Sequence, residues 1–158
     1  MVLTSLQYEF RQSFSVPAAS AYDWCTDSRS SDGRLFPVKW RRGVRRLTKD
    51  ALILTDTTYP EGKIRRIHRL VRLYPSQLAW SNTHTDGPFR HSQYWYQIHA
   101  DGPRRSHLVF RGLRLISTPR KLSASETKRL TKAERNGDAA LWRTRLAPAL
   151  EKEVARAR

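Results

Sequence analysis

The apolar positions of this chain change period once. Up to about Ile116 they recur every second residue in short runs, and after Ser123 they recur every fourth. Tyr8, Phe10, Phe14 and Val16 alternate with Glu9, Arg11, Ser13 and Ser15, with only Gln12 polar on the inner side, which predicts a half-buried first strand. Pro17 stops that strand and suits the start of a short helix through Tyr22 and Trp24. The polar, turn-rich stretch Ser28 to Gly33 has room for a second short helix.

From Leu35 to Ile116 the pattern predicts a meander. Phe36, Val38, Trp40 and Val44 mark a strand ending near Leu47, and Leu52 to Tyr59, Lys63 to Leu73, Leu78 to Thr83, Phe89 to His99 and Ser106 to Ile116 follow. They are separated by Thr48-Lys49-Asp50, Pro60-Glu61-Gly62, Tyr74-Pro75-Ser76, Asp86-Gly87-Pro88 and Asp101-Gly102-Pro103. Turns this short require antiparallel pairing, because parallel neighbours need long crossovers. With the first strand the count is seven.

Ser123 to Arg158 predicts a long helix. Ser123 and Glu126 form a capping box, and Trp142, Leu146, Leu150 and Val154, widened by Leu141 and Ala149, make one apolar stripe. Asn136-Gly137-Asp138 predicts a break or weak point, where Asp138 could cap a second segment, and Pro148, which cannot bond the carbonyl of Thr144, predicts a bend. The order β, short α, six β, long α defines an α+β fold. A seven-stranded sheet of this length curls, and the long helix is the element able to cover its concave face, which leaves room for a cavity between them.

At 158 residues the chain has the size of one domain, 1–158, with no internal linker or repeat. Its formal charge of +16 and pI near 11.0 set it apart. Runs such as Arg41-Arg42 with Arg45-Arg46, and Arg65-Arg66 with Arg69 and Arg72, sit inside strand-like segments and so decorate a folded surface. Scattered solvated arginine is one reading of this excess; a surface for nucleic acid or anionic membrane is another. One cysteine, Cys25, excludes an intrachain disulfide and fits a reducing cytoplasm. No stretch reads as a signal peptide or a bilayer span.

The ends of the chain carry a family resemblance. Phe10-Arg11-Gln12-Ser13-Phe14-Ser15-Val16-Pro17-Ala18, then Ala21-Tyr22-Asp23-Trp24 and Asp27, and at the other end Ala140-Leu141-Trp142 through Leu146-Ala147-Pro148-Ala149-Leu150-Glu151, resemble the START and birch-pollen-allergen superfamily, also called SRPBCC or polyketide cyclase-like proteins. The resemblance implies a helix-grip fold, a curved antiparallel sheet wrapped around a long C-terminal helix, with a deep pocket for a hydrophobic or amphipathic ligand. The glycine-rich loop between the second and third strands of the plant allergens is absent, and Leu47-Thr48-Lys49-Asp50 stands there instead.

Within such a pocket, Gln93-Tyr94-Trp95-Tyr96-Gln97 presents aromatic area and hydrogen-bonding groups on either face. The ligand-binding candidates are Tyr94, Tyr96, Trp142 closing the pocket from the helix, and Arg66, Arg72 or Arg111 holding an anionic head by paired bonds. A second reading is a cyclase or dehydratase in the same pocket, with Asp56, His68, His84 and Tyr96 as candidates for proton transfer. The five histidines lack metal-ligand spacing, and no metal or other cofactor is expected. A third reading is a basic surface, with Trp40-Arg41-Arg42 and Phe89-Arg90-His91 as places where bases could stack beside arginine.

Overall fold

Period-two alternation runs further than the first segment suggested. In the computed structural model, which describes residues 1–157, strand β1 spans Val2–Phe14, six residues longer at its start than Tyr8. Helix α1 (Ala18–Thr26) and a 3-10 turn (Ser30–Leu35) follow it. Then come β2 (Trp40–Thr48), β3 (Ala51–Thr58), β4 (Arg65–Tyr74), β5 (Ala79–His84), β6 (Gln93–Ala100) and β7 (Ser106–Thr118). All pair antiparallel in one seven-stranded sheet of order β1-β7-β6-β5-β4-β3-β2.

Two strands start later than their apolar residues suggested. Phe36 and Val38 precede β2, and Phe36 stacks on Trp40 at 4.1 Å instead of pairing. Phe89 lies in the loop before β6, where His91 adopts φ 70° and the amide of Arg90 bonds the carbonyl of Gly87.

The inner face follows from the register. One row of facing residues runs Leu52, Val71, Asn82, Tyr94, Gly112, Tyr8; the next runs Leu73, Trp80, Tyr96, Phe110, Phe10. Gly112 makes room in the first row, since a Cβ there would stand 3.0 Å from the Tyr8 ring and 3.1 Å from Phe110. The outer row beside it runs Ala51, Arg72, Ser81, Trp95, Arg111, Glu9.

The C-terminal helix begins where the capping box placed it. The Glu126 amide donates to Ser123 Oγ at 3.2 Å, and the Ser123 amide donates to Glu126 Oε2 at 2.8 Å. The expected break at Gly137 does not occur, and α2 runs unbroken from Ala124 to Leu141. A single glycine costs a helix about 1 kcal/mol, and Asp138, instead of capping a new segment, turns to the sheet, where its carboxylate accepts from Tyr8 Oη at 2.5 Å. The irregularity comes later, as a π-turn over Trp142–Leu146 just ahead of α3 (Ala147–Arg156). There the amide of Ala147 bonds the carbonyl of Trp142, five residues back. The missing amide of Pro148 accounts for the place of this adjustment.

The core gathers where α3 and the π-turn meet the sheet. Trp142, Ala147 and Leu150 are buried with Phe10, Phe14, Leu108 and Phe110, whereas α2 buries no residue fully. Among the described residues no helix is long and apolar enough to cross a membrane. Leu150→Ala should lower unfolding free energy by about 2–5 kcal/mol in urea titrations, while Leu47→Ala, on the exposed β2 end, should change it by less than about 0.5 kcal/mol.

Candidate functional site

Because the lower half of the long helix fills its part of the sheet and α2 only spans the rest, a cavity of about 470 Å³ remains between them. A dry space of that volume would cost on the order of 10 kcal/mol, as much as a typical domain's whole stability. It is therefore a place for solvent or a ligand. Its wall is aromatic on one side, with Trp24, Trp80, Tyr96, Phe110 and Trp142, where Trp80 and Tyr96 stack at 4.7 Å and 4°.

Two polar clusters stand in the same wall. At the β2, β3 and β4 end, Asp56 is 2% exposed and receives Arg42 through Nε at 2.8 Å and Nη2 at 3.1 Å, with Arg69 paired to the same carboxylate at Oδ2. Arg42 also reaches Asp32 at 3.3 Å, whose carboxylate accepts the Arg29 amide. The second cluster joins sheet and helix. Arg114 donates through Nε to Tyr94 Oη at 3.0 Å, pairs with Glu134, and approaches Asp138 at 3.4 Å, and Asp138 holds the Tyr8 hydroxyl. Each buried guanidinium thus has carboxylate partners, as burial of charge requires.

Burial sets the protonation states. It lowers Arg69 to about 10, helped by Arg42, so Arg69 still carries its charge at neutral pH. Burial, with Arg69 and Arg114 nearby, lowers His84 to about 4, which makes it a neutral imidazole. The Tyr8 and Tyr96 phenols are pushed up, chiefly by burial, and stay protonated. Burial likewise raises the Cys25 thiol, which leaves it a packing group and no nucleophile at neutral pH.

Of the residues singled out in the sequence, Asp56, His84, Tyr94, Tyr96 and Trp142 line the cavity. Arg66 and Arg111 do not. Both lie on the outer face with Arg72, Arg66 exposed opposite Thr57 and Arg111 paired with Glu9 at 2.9 Å. The inward arginines of β4 and β7 are three residues away, at Arg69 and Arg114, because a strand reverses its faces at each step, and a third, Arg42, comes from β2. His68 also faces outward and pairs with Asp86. The four proton-transfer candidates form no bond with one another, since Asp56 is taken up by arginines and His84 has no side-chain partner. Trp40, Arg42 and Phe89 also turn into the cavity, so neither expected stacking motif forms an external platform. Tyr8, Asn82 and Asp138 are not among the site residues expected from the sequence. Asp138 had a signal, standing four residues before Trp142 on the line of the apolar stripe. Among the described residues no group of three potential ligands could hold a metal.

No family model and no curated protein matches the chain in sequence. Solved structures do match in shape. An aromatase/cyclase, Zhui, from Streptomyces sp. R1128 superposes with a TM-score of 0.72 at 16% identity, covering 97% of this chain and 95% of its own. Norcoclaurine synthase from Thalictrum flavum, in complex with dopamine and hydroxybenzaldehyde, gives 0.70 at 11% identity, covering 99% and 90%. A START superfamily protein from Mycobacterium smegmatis gives 0.64 at 15% identity, covering 97% and 99%. The chain has the helix-grip fold. At these identities the likeness establishes that architecture alone. In the helix-grip layout the space between sheet and long helix is the one lined here by Arg69, His84, Tyr96 and Trp142.

The depressed His84 has a consequence for stability. Its folded pKa of about 4 lies below the ordinary 6.5, so between those values the unfolded chain binds the extra proton. Stability should fall on acidification through that window, by about 3 kcal/mol in total, and this contribution should level off below pH about 4. Urea titrations from pH 7 to 4 should show a steeper loss in the native protein than in His84→Gln, where this part of the slope disappears.

Proposed function

We propose that this protein is a cytoplasmic binder of a hydrophobic or amphipathic small molecule, held in the cavity between sheet and long helix. The observation that carries the reading is the cavity itself: about 470 Å³, walled by stacked aromatic rings and edged by a few fixed polar groups. Flat rings suit such walls because stacking adds to the area removed from water. The likeness to cyclase, synthase and START structures supports the reading at the level of architecture. The interior charge argues against the anionic head considered from sequence, because Arg42, Arg69 and Arg114 are already matched by Asp32, Asp56, Glu134 and Asp138.

A second reading, acid–base chemistry on the same ligand, is favoured by the Tyr8–Asp138 pair and by an unbonded neutral His84 in the wall. A neutral imidazole can accept a proton, and a phenol bonded to a carboxylate can relay one. In a cyclisation with loss of water, His84 would take the proton from carbon and give it to the departing hydroxyl, which leaves as water, with Tyr8, bonded to the cavity-lining Asp138, as a relay.

Native mass spectrometry of the freshly purified protein tests both. Binding predicts extra mass that is lost on denaturation, and its absence after gentle purification, with no uptake of added aromatic probes, refutes the binding reading. Dehydration predicts that ligand carried by His84→Gln is heavier by one water than that carried by the native protein; identical masses remove the catalytic reading.

A further inference from the structure

Four cavity-lining side chains have a buried polar atom without a hydrogen-bond partner: Trp40 Nε1, Arg69 Nε, Asn82 Oδ1 and His84 Nδ1. They form one shelf. Arg69 and His84 are direct cross-strand partners on β4 and β5, Asn82 precedes His84 by two residues on the same face, and Arg69 lies over the Trp40 ring at 6.0 Å. Asn82 is 7% exposed and His84 9%, so neither can turn to bulk solvent for its bonds. Leaving such a group unmatched costs about 1–3 kcal/mol, and four side by side in an otherwise well-bonded wall mark a place where something else supplies the bonds.

The chemistry of the shelf limits what that is. Trp40 and Arg69 offer donors only; the Asn82 amide holds an NH2 donor and a carbonyl acceptor, and the neutral His84 ring one donor and one acceptor. An anion can take the donors, but whichever way amide and ring are turned it leaves the acceptor of each without a donor. It also gains no free cation, because Arg42 and Arg69 share Asp56 and Arg42 reaches Asp32. A hydroxyl both donates and accepts, and a carbonyl takes the donors. We propose that the shelf of Trp40, Arg69, Asn82 and His84 is the polar subsite for an uncharged, hydroxylated aromatic ligand whose ring system lies against Trp80, Tyr96 and Trp142. This rests on the pocket reading above and adds the ligand's charge state and its functional groups. Arg65, exposed at the cavity mouth, is the one lining arginine without a carboxylate partner among the described residues, and it stands outside the shelf.

Isothermal titration of the intact protein at pH 6.5 with three probes of similar size separates the possibilities: a hydroxy-acetonaphthalene, acetonaphthalene without the hydroxyl, and hydroxynaphthoate. The hydroxy ketone should bind about tenfold more tightly than acetonaphthalene, and hydroxynaphthoate no more tightly than acetonaphthalene. Asn82→Leu should erase the difference between the first two, and His84→Leu should reduce it; the comparison within the native protein stands even if a variant fails to fold. Equal affinity for the two ketones overturns the shelf while leaving the pocket reading intact, and tightest binding of hydroxynaphthoate overturns it in favour of an anion held at the Arg65 mouth. Binding of none of the three removes the pocket reading and the shelf with it.

Discussion

A curved seven-stranded sheet presents a concave face wider than one helix can fill, and much of this molecule follows from that mismatch. The helix packs tightly only where Trp142, Ala147 and Leu150 meet Phe10, Phe14 and Leu108. Upstream of the π-turn, α2 has no fully buried residue and is tied to the sheet by polar contacts, from Asp138 to Tyr8, from Glu134 to Arg114 and from Arg135 to the carbonyl of Glu9. The space under that polar half is the cavity. Its existence and its bonding are two sides of one arrangement, since apolar packing would have closed it.

Placing charge in that space imposes neutrality on it. Arginines that line a water-poor wall need carboxylates in contact, and Asp56 between Arg42 and Arg69 meets the need at one end while Glu134 and Asp138 meet it at the other. The large positive charge of the chain therefore belongs to its exterior, to residues such as Arg11, Arg41, Arg45, Arg66 and Arg72. What the interior leaves without hydrogen bonds is a row of neutral amide, imidazole and indole atoms beside one N–H of the already paired Arg69 guanidinium. That distinction between paired charges and unbonded polar atoms carries the step from a cavity to a class of ligand.

Much of this was legible in the sequence, and the failures have a common cause. The alternation of Tyr8 to Val16 specified β1, the short turns specified antiparallel order, and Ser123 with Glu126 specified the helix start. The faces of β4 were not legible. In Arg65-Arg66-Ile67-His68-Arg69-Leu70-Val71-Arg72-Leu73 each face carries both apolar and charged residues, so alternation cannot say that Arg69 is inside and Arg66 and Arg72 outside. In β7 the same question could have been answered, because Leu108, Phe110 and Gly112 lead in step to Arg114, while Arg111 is out of step. On the helix, Glu134 and Asp138 prolong the four-residue spacing of Trp142, Leu146 and Leu150. Carboxylates on the line of an apolar stripe read as its end, but here they mark the part of the helix that faces a polar cavity. Gly137 misled for a related reason, since Asp138 beside it serves the sheet and not a helix start.

The five tryptophans offer the most direct test, because Trp24, Trp40, Trp80 and Trp142 line the cavity and Trp95 lies on the outer face. In proton–nitrogen correlation spectra, titration with acetonaphthalene should move the indole signals of the inner four and leave that of Trp95 in place. Movement of Trp95 with the inner four unmoved would contradict a ligand-binding cavity between sheet and helix.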